Sequence, residues 1–400
     1  MQILQIIPYF YPATDIGGTA SVVWETSKLL VQQGHNVTVY TTDVGDKAKR
    51  LDVVSNRKIS IDGVDVIYFR NIINSLAFIN HLYLPPKFFG ESYRNIKNFD
   101  IIHLHEVYTL MHVWAAMLAN NYRIPYVISA HGTASLVREA GRIKRKLLFN
   151  LFFGRRMFTD AKKVIALTAY EKSVYRQMNV PLEKIAVIPN GINIDEFSNL
   201  PPKSVFRGKH KIKNNTKILL YMGRIHPKKG IELLVGAMRM LTKVRKDLLL
   251  VIAGPVEDKN YYKFLRDLIG KFKLEKDILI LDALSYQEKL SAFAAADIFV
   301  LTSYGEGLPI SLLEAGASGL PLLVSKRCNL PEVEKYHAGK VVGSTIGSIV
   351  YGIEKIINTP NFRSHYGNNA MKMVKENFNR ESTVKKIEEL YKKVILNYER

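Results

Sequence analysis

The stretch Asp297-Ile-Phe-Val-Leu-Thr-Ser303, followed shortly by Glu306-Gly-Leu-Pro-Ile-Ser-Leu-Leu-Glu314, decides the fold. Its first run is apolar and strand-like, and its second carries Gly and Pro before an apolar run that begins at Leu308. This order predicts a strand, a loop and the start of a helix. Such a junction binds anions, because free N–H groups and the helix dipole lie at the carboxyl end of the strand. Glu306 and Glu314 add two carboxylates that can accept hydrogen bonds from hydroxyl groups.

The same alternation of strands and helices extends outward over the chain. Several candidate strands are apolar on both faces, which is typical of a parallel sheet covered by helices. We therefore predict an α/β protein with doubly wound, Rossmann-like sheets. The candidate strands are 3–7, 36–40, 64–69, 100–104, 126–130, 163–167 and 185–188 in the first half, and 218–222, 248–253, 278–281, 298–301 and 320–324 in the second.

A change of composition at residues 201–216 divides this pattern in two. The segment is rich in Pro and Lys and has no apolar period, so we interpret it as a linker. The predicted domains are residues 1–200, to which a last helix at about 382–400 returns, and residues 217–381. Two α/β domains on one linker are expected to enclose a ligand cleft.

Composition narrows the functional classes. The net charge of +21 favours an anionic partner: phosphorylated substrates, an anionic membrane surface or nucleic acid. A single cysteine, Cys328, excludes an intramolecular disulfide framework and fits a reducing, cytoplasmic compartment. No apolar run is long enough for a membrane-spanning helix. The first residues, Met1 to Pro8, lack a basic n-region and are expected to form a strand and not a signal peptide.

Further candidate site residues follow other predicted strands. Gly17 and Gly18 permit close approach of a ligand after the first strand, although an ordinary turn is the alternative. Arg224 and Lys229, in Gly223-Arg-Ile-His-Pro-Lys-Lys-Gly230, place two cations where a phosphate would bind; a solvated basic loop is the alternative. His131 closes a strand and is expected in the cleft, either as a functional or as a structural histidine.

Two features leave alternatives open. His103, His105 and Glu106 look like metal ligands, but no second ligand cluster matches them, so we predict no metal site. Residues 138–163 carry nine basic and two acidic side chains together with several Phe and Leu residues. Such a segment lies in an anionic membrane interface or packs as an ordinary amphipathic helix on the sheet. The aromatic segment 78–89 either faces a lipid-linked acceptor or fills a core.

The chain resembles glycosyltransferase family 4 over nearly its whole length. The resemblance rests on motifs that occur in the family's order: the Gly17-Gly18 loop, Ala130-His131-Gly132, Pro189-Asn190-Gly191-Ile192, Gly223-Arg224 with Lys229-Gly230, and Glu306 with Glu314, which seven residues separate. It implies the GT-B fold, with two facing Rossmann-like domains, a cleft between them and a last helix that crosses back to the first domain. It also implies a retaining, metal-independent transferase that uses a nucleotide sugar.

The resemblance implies roles for individual residues. Arg224 and Lys229 would hold the donor diphosphate, Glu314 the donor ribose and Glu306 the hydroxyls of the donor sugar. His131 would lie near the transferred sugar, and Gly17 and Gly18 near the diphosphate or acceptor. The predicted catalytic set is thus His131, Arg224, Lys229 and Glu306, and the donor site includes the helix start at Leu308, Pro309 and Ile310. Many members have Gly-Phe-Gly where this chain has Gly307-Leu308-Pro309.

The expected function is transfer of a sugar from a UDP- or GDP-sugar to a saccharide or lipid-linked saccharide. The product would belong to a surface polysaccharide, glycolipid or glycan, and the enzyme would be cytoplasmic or peripheral on the cytoplasmic face of a membrane. No further cofactor and no nucleic-acid partner are expected. A nucleotide-sugar 2-epimerase of related architecture is the first alternative, and a non-enzymatic polyanion-binding protein is the second.

Overall fold

A computed structural model of the chain describes residues 1–13, 18–45, 49–80, 82–134 and 143–398. Contacts divide the chain into two compact units, of which unit 1 is Met1–Gly191 with Arg380–Arg400 and unit 2 is Ile192–Asn379. Each unit is built around its own β-sheet. No helix among the described residues has the length and apolar character needed to cross a bilayer.

Unit 1 contains an eight-stranded sheet with the order β3-β4-β2-β1-β5-β6-β7-β8. Neighbouring strands are parallel except for β3 and β4, which are antiparallel. The strands are β1 Gln2–Ile6, β2 Asn36–Thr42, β3 Lys58–Ile61, β4 Val64–Phe69, β5 Ile101–His105, β6 Tyr126–Ser129, β7 Lys163–Ala166 and β8 Ile185–Val187. The helices of this part are α1 Gly18–Gln32, α2 Asn74–Asn80, α3 Pro86–Asn95, α4 Leu110–Asn121, α5 Ile143–Phe149, α6 Arg155–Asp160 and α7 Ala169–Gln177.

Unit 2 contains a six-stranded, fully parallel sheet with the order β11-β10-β9-β12-β13-β14. Its strands are β9 Lys217–Met222, β10 Leu248–Ala253, β11 Ile278–Leu281, β12 Ile298–Leu301, β13 Leu322–Ser325 and β14 Gly339–Val342. Its helices are α8 Lys203–Lys209, α9 Ile231–Val244, α10 Lys259–Phe272, α11 Tyr286–Ala295, α12 Ile310–Ala317, α13 Glu332–Lys335, α14 Ile346–Ile357 and α15 Phe362–Asn377. Parallel strands covered by helices explain why β9, β10 and β12 are apolar on both faces.

The last helix, α16 Arg380–Leu396, belongs to unit 1. It buries Val384, Ile387, Tyr391 and Val394 in the core cluster that also contains Trp24 of α1. The spacing of these four residues forms one apolar stripe along the helix. Burial of each aliphatic side chain stabilises the folded chain by about 1.5–3 kcal/mol, so this stripe is what holds α16 on unit 1.

The structure corrects the predicted linker at 201–216. Pro202 precedes the helix α8, and the whole segment lies within unit 2, which begins at Ile192. Phe206 and Arg207 are buried, and the Arg207 guanidinium donates to the backbone oxygens of Lys213 and Thr216 and to the Asp297 carboxylate. One buried phenylalanine and one hydrogen-bonded arginine anchor a segment whose lysines are exposed. Two buried residues are too few to produce an apolar period in the sequence.

Candidate active site

The candidate site of unit 2 lies where its strand order reverses. Strand β9 has β10 on one side and β12 on the other, so the chain winds away from β9 in both directions. Ligands of open parallel sheets bind at the carboxyl ends of the strands at such a switch point. Two predicted motifs occupy these ends: Gly223 to Gly230 follows β9, and Thr302 to Pro309 follows β12.

Close packing of these two loops explains the glycine at position 230. Gly230 has a φ of 60°, and a Cβ there would lie 2.6 Å from the backbone oxygen of Thr302. The Thr302 hydroxyl donates to the Gly230 oxygen at 2.9 Å, and the Tyr304 N–H donates to the Lys228 oxygen at 2.8 Å. Only glycine allows both the left-handed backbone and this approach, so the loops form one rigid surface.

Lys229 and Glu306 are brought together on that surface. The Lys229 ammonium lies 2.6 Å from Glu306 Oε1, and both side chains are mostly buried, with exposed fractions of 15% and 13%. The Ser303 hydroxyl donates to the same carboxylate oxygen at 2.5 Å. Asn329 donates from its amide to the Glu306 backbone oxygen at 3.1 Å, which fixes the main chain. Two predicted catalytic residues therefore form one preorganised ion pair.

Arg224 is held by a different carboxylate. Its guanidinium lies 2.7 Å from Glu257 Oε2, and both side chains are partly exposed. Its backbone oxygen accepts a hydrogen bond from the buried Tyr221 hydroxyl at 2.9 Å. His226 accepts a hydrogen bond from the Lys228 N–H at 3.1 Å and so shapes the loop.

The helix start predicted at Leu308, Pro309 and Ile310 is present. Leu308 and Pro309 are buried, and α12 begins at Ile310 without a side-chain cap. An uncapped helix start presents N–H groups and positive dipole character to an anion. Glu314 lies one turn into α12, where its Oε1 is 2.6 Å from the Lys289 ammonium. The two glutamates of the motif thus have separate lysine partners.

The remaining predicted residues belong to unit 1. His131 follows β6, and Gly18 is the exposed first residue of α1. Gly17 lies outside the described residues. His131 has a φ of 49°, a conformation that is costly for a residue with a side chain and is found at functional sites. The Glu171 carboxylate fixes the following residue, because it accepts the Gly132 N–H at 2.6 Å.

His103 and His105 form hydrogen bonds to other side chains. His103 bonds to the hydroxyls of Tyr391 and Ser129, and His105 bonds to Gln5 and His131. Burial lowers the pKa of His103 and His105 well below the usual value, and the neighbouring His131 adds to both shifts. Burial also lowers the pKa of His131 to about 4. Among the described residues, no three His, Cys, Asp or Glu side chains are grouped to hold a metal ion.

Several partners of the predicted residues, in unit 2 and in unit 1, were missed at the sequence level. Glu257 and Lys289 hold the predicted Arg224 and Glu314, while Ser303 supports Glu306. Gln5 supports His105 from the first strand. Ser303 could have been found, because it ends the apolar run before Glu306. Glu257 and Lys289 carried no local signal, since their partners are 33 and 25 residues away.

Two family models match consecutive parts of the chain. "Glycosyltransferase Family 4" matches residues 16–196, and "Glycosyl transferases group 1" matches residues 202–373. The matches divide the chain close to the boundary between the two compact units. They include every predicted site residue, from Gly17 to Glu314.

Similar proteins agree with these matches. An uncharacterized glycosyltransferase of Methanocaldococcus jannaschii is 29% identical and covers 97% of both chains. A human phosphatidylinositol N-acetylglucosaminyltransferase component is 23% identical over 89% of this chain and 68% of its own. The structure of Anabaena HepE in complex with UDP and glucose has a TM-score of 0.77 at 18% identity, covering 98% of this chain and all of that one. Each unit has the parallel α/β sheet of the GT-B fold, and the chain belongs to glycosyltransferase family 4.

Proposed function

We propose that this glycosyltransferase is a retaining enzyme that transfers a sugar from a UDP- or GDP-sugar to a saccharide or lipid-linked saccharide. The observation that carries the proposal is the Lys229–Glu306 pair, held at 2.6 Å between two strand-end loops of unit 2. A lysine that can meet a diphosphate and a carboxylate that can meet sugar hydroxyls match the two halves of a nucleotide sugar.

The cations and helix start of unit 2 would bind the diphosphate. Arg224 and Lys229 each have a carboxylate partner, Glu257 and Glu306, that a phosphate oxygen can replace. The N–H groups near Leu308 to Ile310 add positive dipole character at the same sheet edge. Glu306 would then accept hydrogen bonds from the donor sugar, and Glu314 from the ribose.

Charge development explains how these groups would promote transfer. The bond between the anomeric carbon and the phosphate oxygen breaks, and its electron pair moves to the diphosphate. The acceptor oxygen forms the new bond on the same face and gives its proton to the departing phosphate. Arg224, Lys229 and the helix N–H groups would stabilise the anion as it forms, which is often the largest single contribution to catalysis. With these cations in place, we propose that the reaction needs no metal ion.

A ligand screen tests the donor assignment. A ligand that binds only the native state raises the apparent melting temperature. We expect stabilisation by UDP-sugars, because HepE was solved with UDP and glucose. The panel should include GDP- and ADP-sugars, and an incubation with donor alone should yield no isomerised sugar. Absence of stabilisation by every nucleotide sugar would refute the proposal, and an isomer without acceptor would favour the epimerase.

We propose that the acceptor is lipid-linked, since unit 1 carries an apolar surface next to cations. Leu147, Leu148, Leu151, Phe152 and Phe153 are all exposed, and Leu151 reaches an exposed fraction of 76%. Their segment runs from α5 through a π-helical turn into α6. Exposed basic residues flank the cluster on the same segment: Lys144, Arg145, Arg155 and Arg156. Apolar side chains flanked by cations fit the interface of an anionic bilayer, and the name of the human relative contains a phosphatidylinositol.

Liposome flotation tests this membrane contact. The protein should float with vesicles that contain anionic lipid at low salt and dissociate as salt rises. The double substitution Leu151→Ser and Phe152→Ser should abolish flotation, whereas Val244→Ser, at an equally exposed site of unit 2, should not. Failure of the unmodified protein to float would remove the membrane part of the proposal and leave the donor assignment intact.

A further inference from the structure

A buried chain of side chains leads from the first strand to His131. Gln5 Oε1 lies 2.5 Å from His105 Nε2, and His105 Nδ1 lies 2.9 Å from His131 Nε2. The other end of the Gln5 amide donates from Nε2 to the Tyr391 hydroxyl at 3.4 Å. In the structure the amide nitrogen therefore faces the Tyr391 hydroxyl, and the carbonyl oxygen faces His105.

The direction of each hydrogen bond in the chain follows from that orientation. A carbonyl oxygen can only accept, so His105 Nε2 must carry the proton. Burial keeps His105 neutral, and a neutral imidazole has one N–H, so His105 Nδ1 is an acceptor. His131 Nε2 must then donate to it. Because His131 is also neutral, its Nδ1 retains a lone pair.

The last atom of this hydrogen-bonded series, His131 Nδ1, is the one that could meet a ligand. His131 Nδ1 is buried and has no hydrogen-bond partner within the part of the chain that the structure describes. Buried polar atoms are rarely left without a partner, and a bound ligand is one explanation for such an exception. The loop around it is fixed as well, since Glu171 accepts N–H groups from both Gly132 and Leu167.

We propose that Gln5 and His105 are positioning residues that hold His131 as its Nε2–H tautomer, so that His131 Nδ1 accepts a hydrogen bond from a sugar hydroxyl. The inference rests on the proposed function for its ligand class. If the Gln5 amide were reversed, each bond of the chain would reverse and His131 would present an N–H instead. One amide on β1 therefore selects the hydrogen-bonding character of a residue that follows another strand.

Nitrogen NMR of histidine-labelled protein tests the tautomer without any substrate. Long-range proton–nitrogen spectra distinguish a protonated from an unprotonated ring nitrogen, and His131→Gln assigns the signals. We expect the unmodified protein to show His131 protonated at Nε2 and unprotonated at Nδ1. In Gln5→Met the constraint is lost, and signals of both tautomers should appear. Thr109→Val is the matched control, because it removes an equally buried hydrogen bond to His112 outside the chain.

Two outcomes would overturn the proposal: an Nδ1–H tautomer in the unmodified protein, or an unchanged His131 in a folded Gln5→Met variant. The first measurement needs no variant, so misfolding of Gln5→Met cannot obscure it. Turnover adds an independent test, since Gln5→Met should lose about two- to tenfold in kcat/KM. The same change in a His131→Ala background should have no further effect. Full turnover by His131→Ala with the expected tautomer would refute the role of His131 while leaving the positioning relation in place.

Discussion

The strand-end edges of the two units use the same topology for different chemistry. In unit 1, the imidazoles and the amide at the ends of β1, β5 and β6 are neutral and buried. They form hydrogen bonds to one another and to the Tyr391 phenol of α16. In unit 2, the groups after β9 and β12 are cations and carboxylates in ion pairs. We call the first group the neutral edge of unit 1, where hydrogen bonds have fixed directions. We call the second the charged edge of unit 2, where ion pairs dominate.

The cost of burying charge explains why these chemistries are separated. An unpaired buried charge is strongly unfavourable, so a dry cluster favours neutral imidazoles. Phosphate recognition, which we propose for unit 2, needs full positive charge. Arg224 and Lys229 keep that charge because each is paired with a carboxylate. The comparison teaches that a parallel sheet supplies the position of a site, while local burial selects which side chains work there.

The largest expected difference between the two units is the loss of stability of unit 1 in acid. Burial lowers the pKa of His112 and His131 to about 4, below the value near 6.5 of the unfolded chain. The unfolded state therefore binds more protons as the pH falls from 6.5 toward 4. The stabilisation from keeping these imidazoles neutral is complete above pH 6.5. Between pH 7 and 4.5, the titration of each histidine should lower the free energy of unfolding of unit 1 by on the order of 2 kcal/mol.

Tryptophan fluorescence can measure this loss in unit 1 alone. The chain has two tryptophans, Trp24 in α1 and Trp114 in α4, and both belong to unit 1. Urea unfolding followed by fluorescence at the two pH values should show the drop, and His131→Gln should reduce it by on the order of 2 kcal/mol. Equal unfolding free energies at both pH values would show that the histidines titrate without cost and would break the comparison.

The charged edge should respond in turnover to loss of one cation. Lys229→Ala removes the ammonium that we place on the departing diphosphate, and kcat should fall on the order of hundredfold. Lys209→Ala is the matched control, because it removes a lysine from an exposed pair with Glu288 elsewhere in unit 2. Steady-state kinetics with the donor found by the ligand screen would measure both. A wild-type rate in Lys229→Ala would contradict the assigned role.

The neutral edge should respond in stability to loss of one hydroxyl. Tyr391→Phe leaves His103 Nδ1 and Gln5 Nε2 without the hydrogen bonds that the Tyr391 hydroxyl provides, which should cost unit 1 about 2 kcal/mol. Urea unfolding followed by tryptophan fluorescence measures the change. Tyr336→Phe removes an exposed hydroxyl bonded to Glu376 in unit 2. It should change the free energy of unfolding measured in this way by less than about 0.5 kcal/mol. Equal shifts would mean that burial at the Tyr391 site contributes nothing.

The sequence predicts the sheets and several strand-end residues because these features are local. An apolar run followed by Gly and a charged residue identifies both the strand and its functional end, as at Gly223-Arg224 and Glu306. The partners of these residues are not local. Glu257, Lys289 and Gln5 meet Arg224, Glu314 and His105 only through the sheet order, which no periodicity reveals.

The error at 201–216 has a related cause. Composition measures the average environment of a segment, whereas packing depends on single residues. Arg207 counts as one more basic residue in the sequence, yet its guanidinium is buried and satisfied by four backbone oxygens and the Asp297 carboxylate. The sequence does not distinguish a buried, fully hydrogen-bonded arginine from a solvated one, because the acceptors come together only in the fold.

The smallest expected effect concerns the nucleotide end of the donor. Glu314→Ala removes the carboxylate that we place on the ribose, and the affinity for UDP-glucose should fall on the order of tenfold. Lys289→Ala is the sharper control, since it removes the other half of the same ion pair. Both variants lose that pair, so their melting temperatures should fall together, whereas only Glu314→Ala should weaken binding in calorimetry. Equal affinity losses would mean that the pair acts as a unit in shaping α12, and the charged edge would then owe its ligand contacts to Arg224 and Lys229 alone.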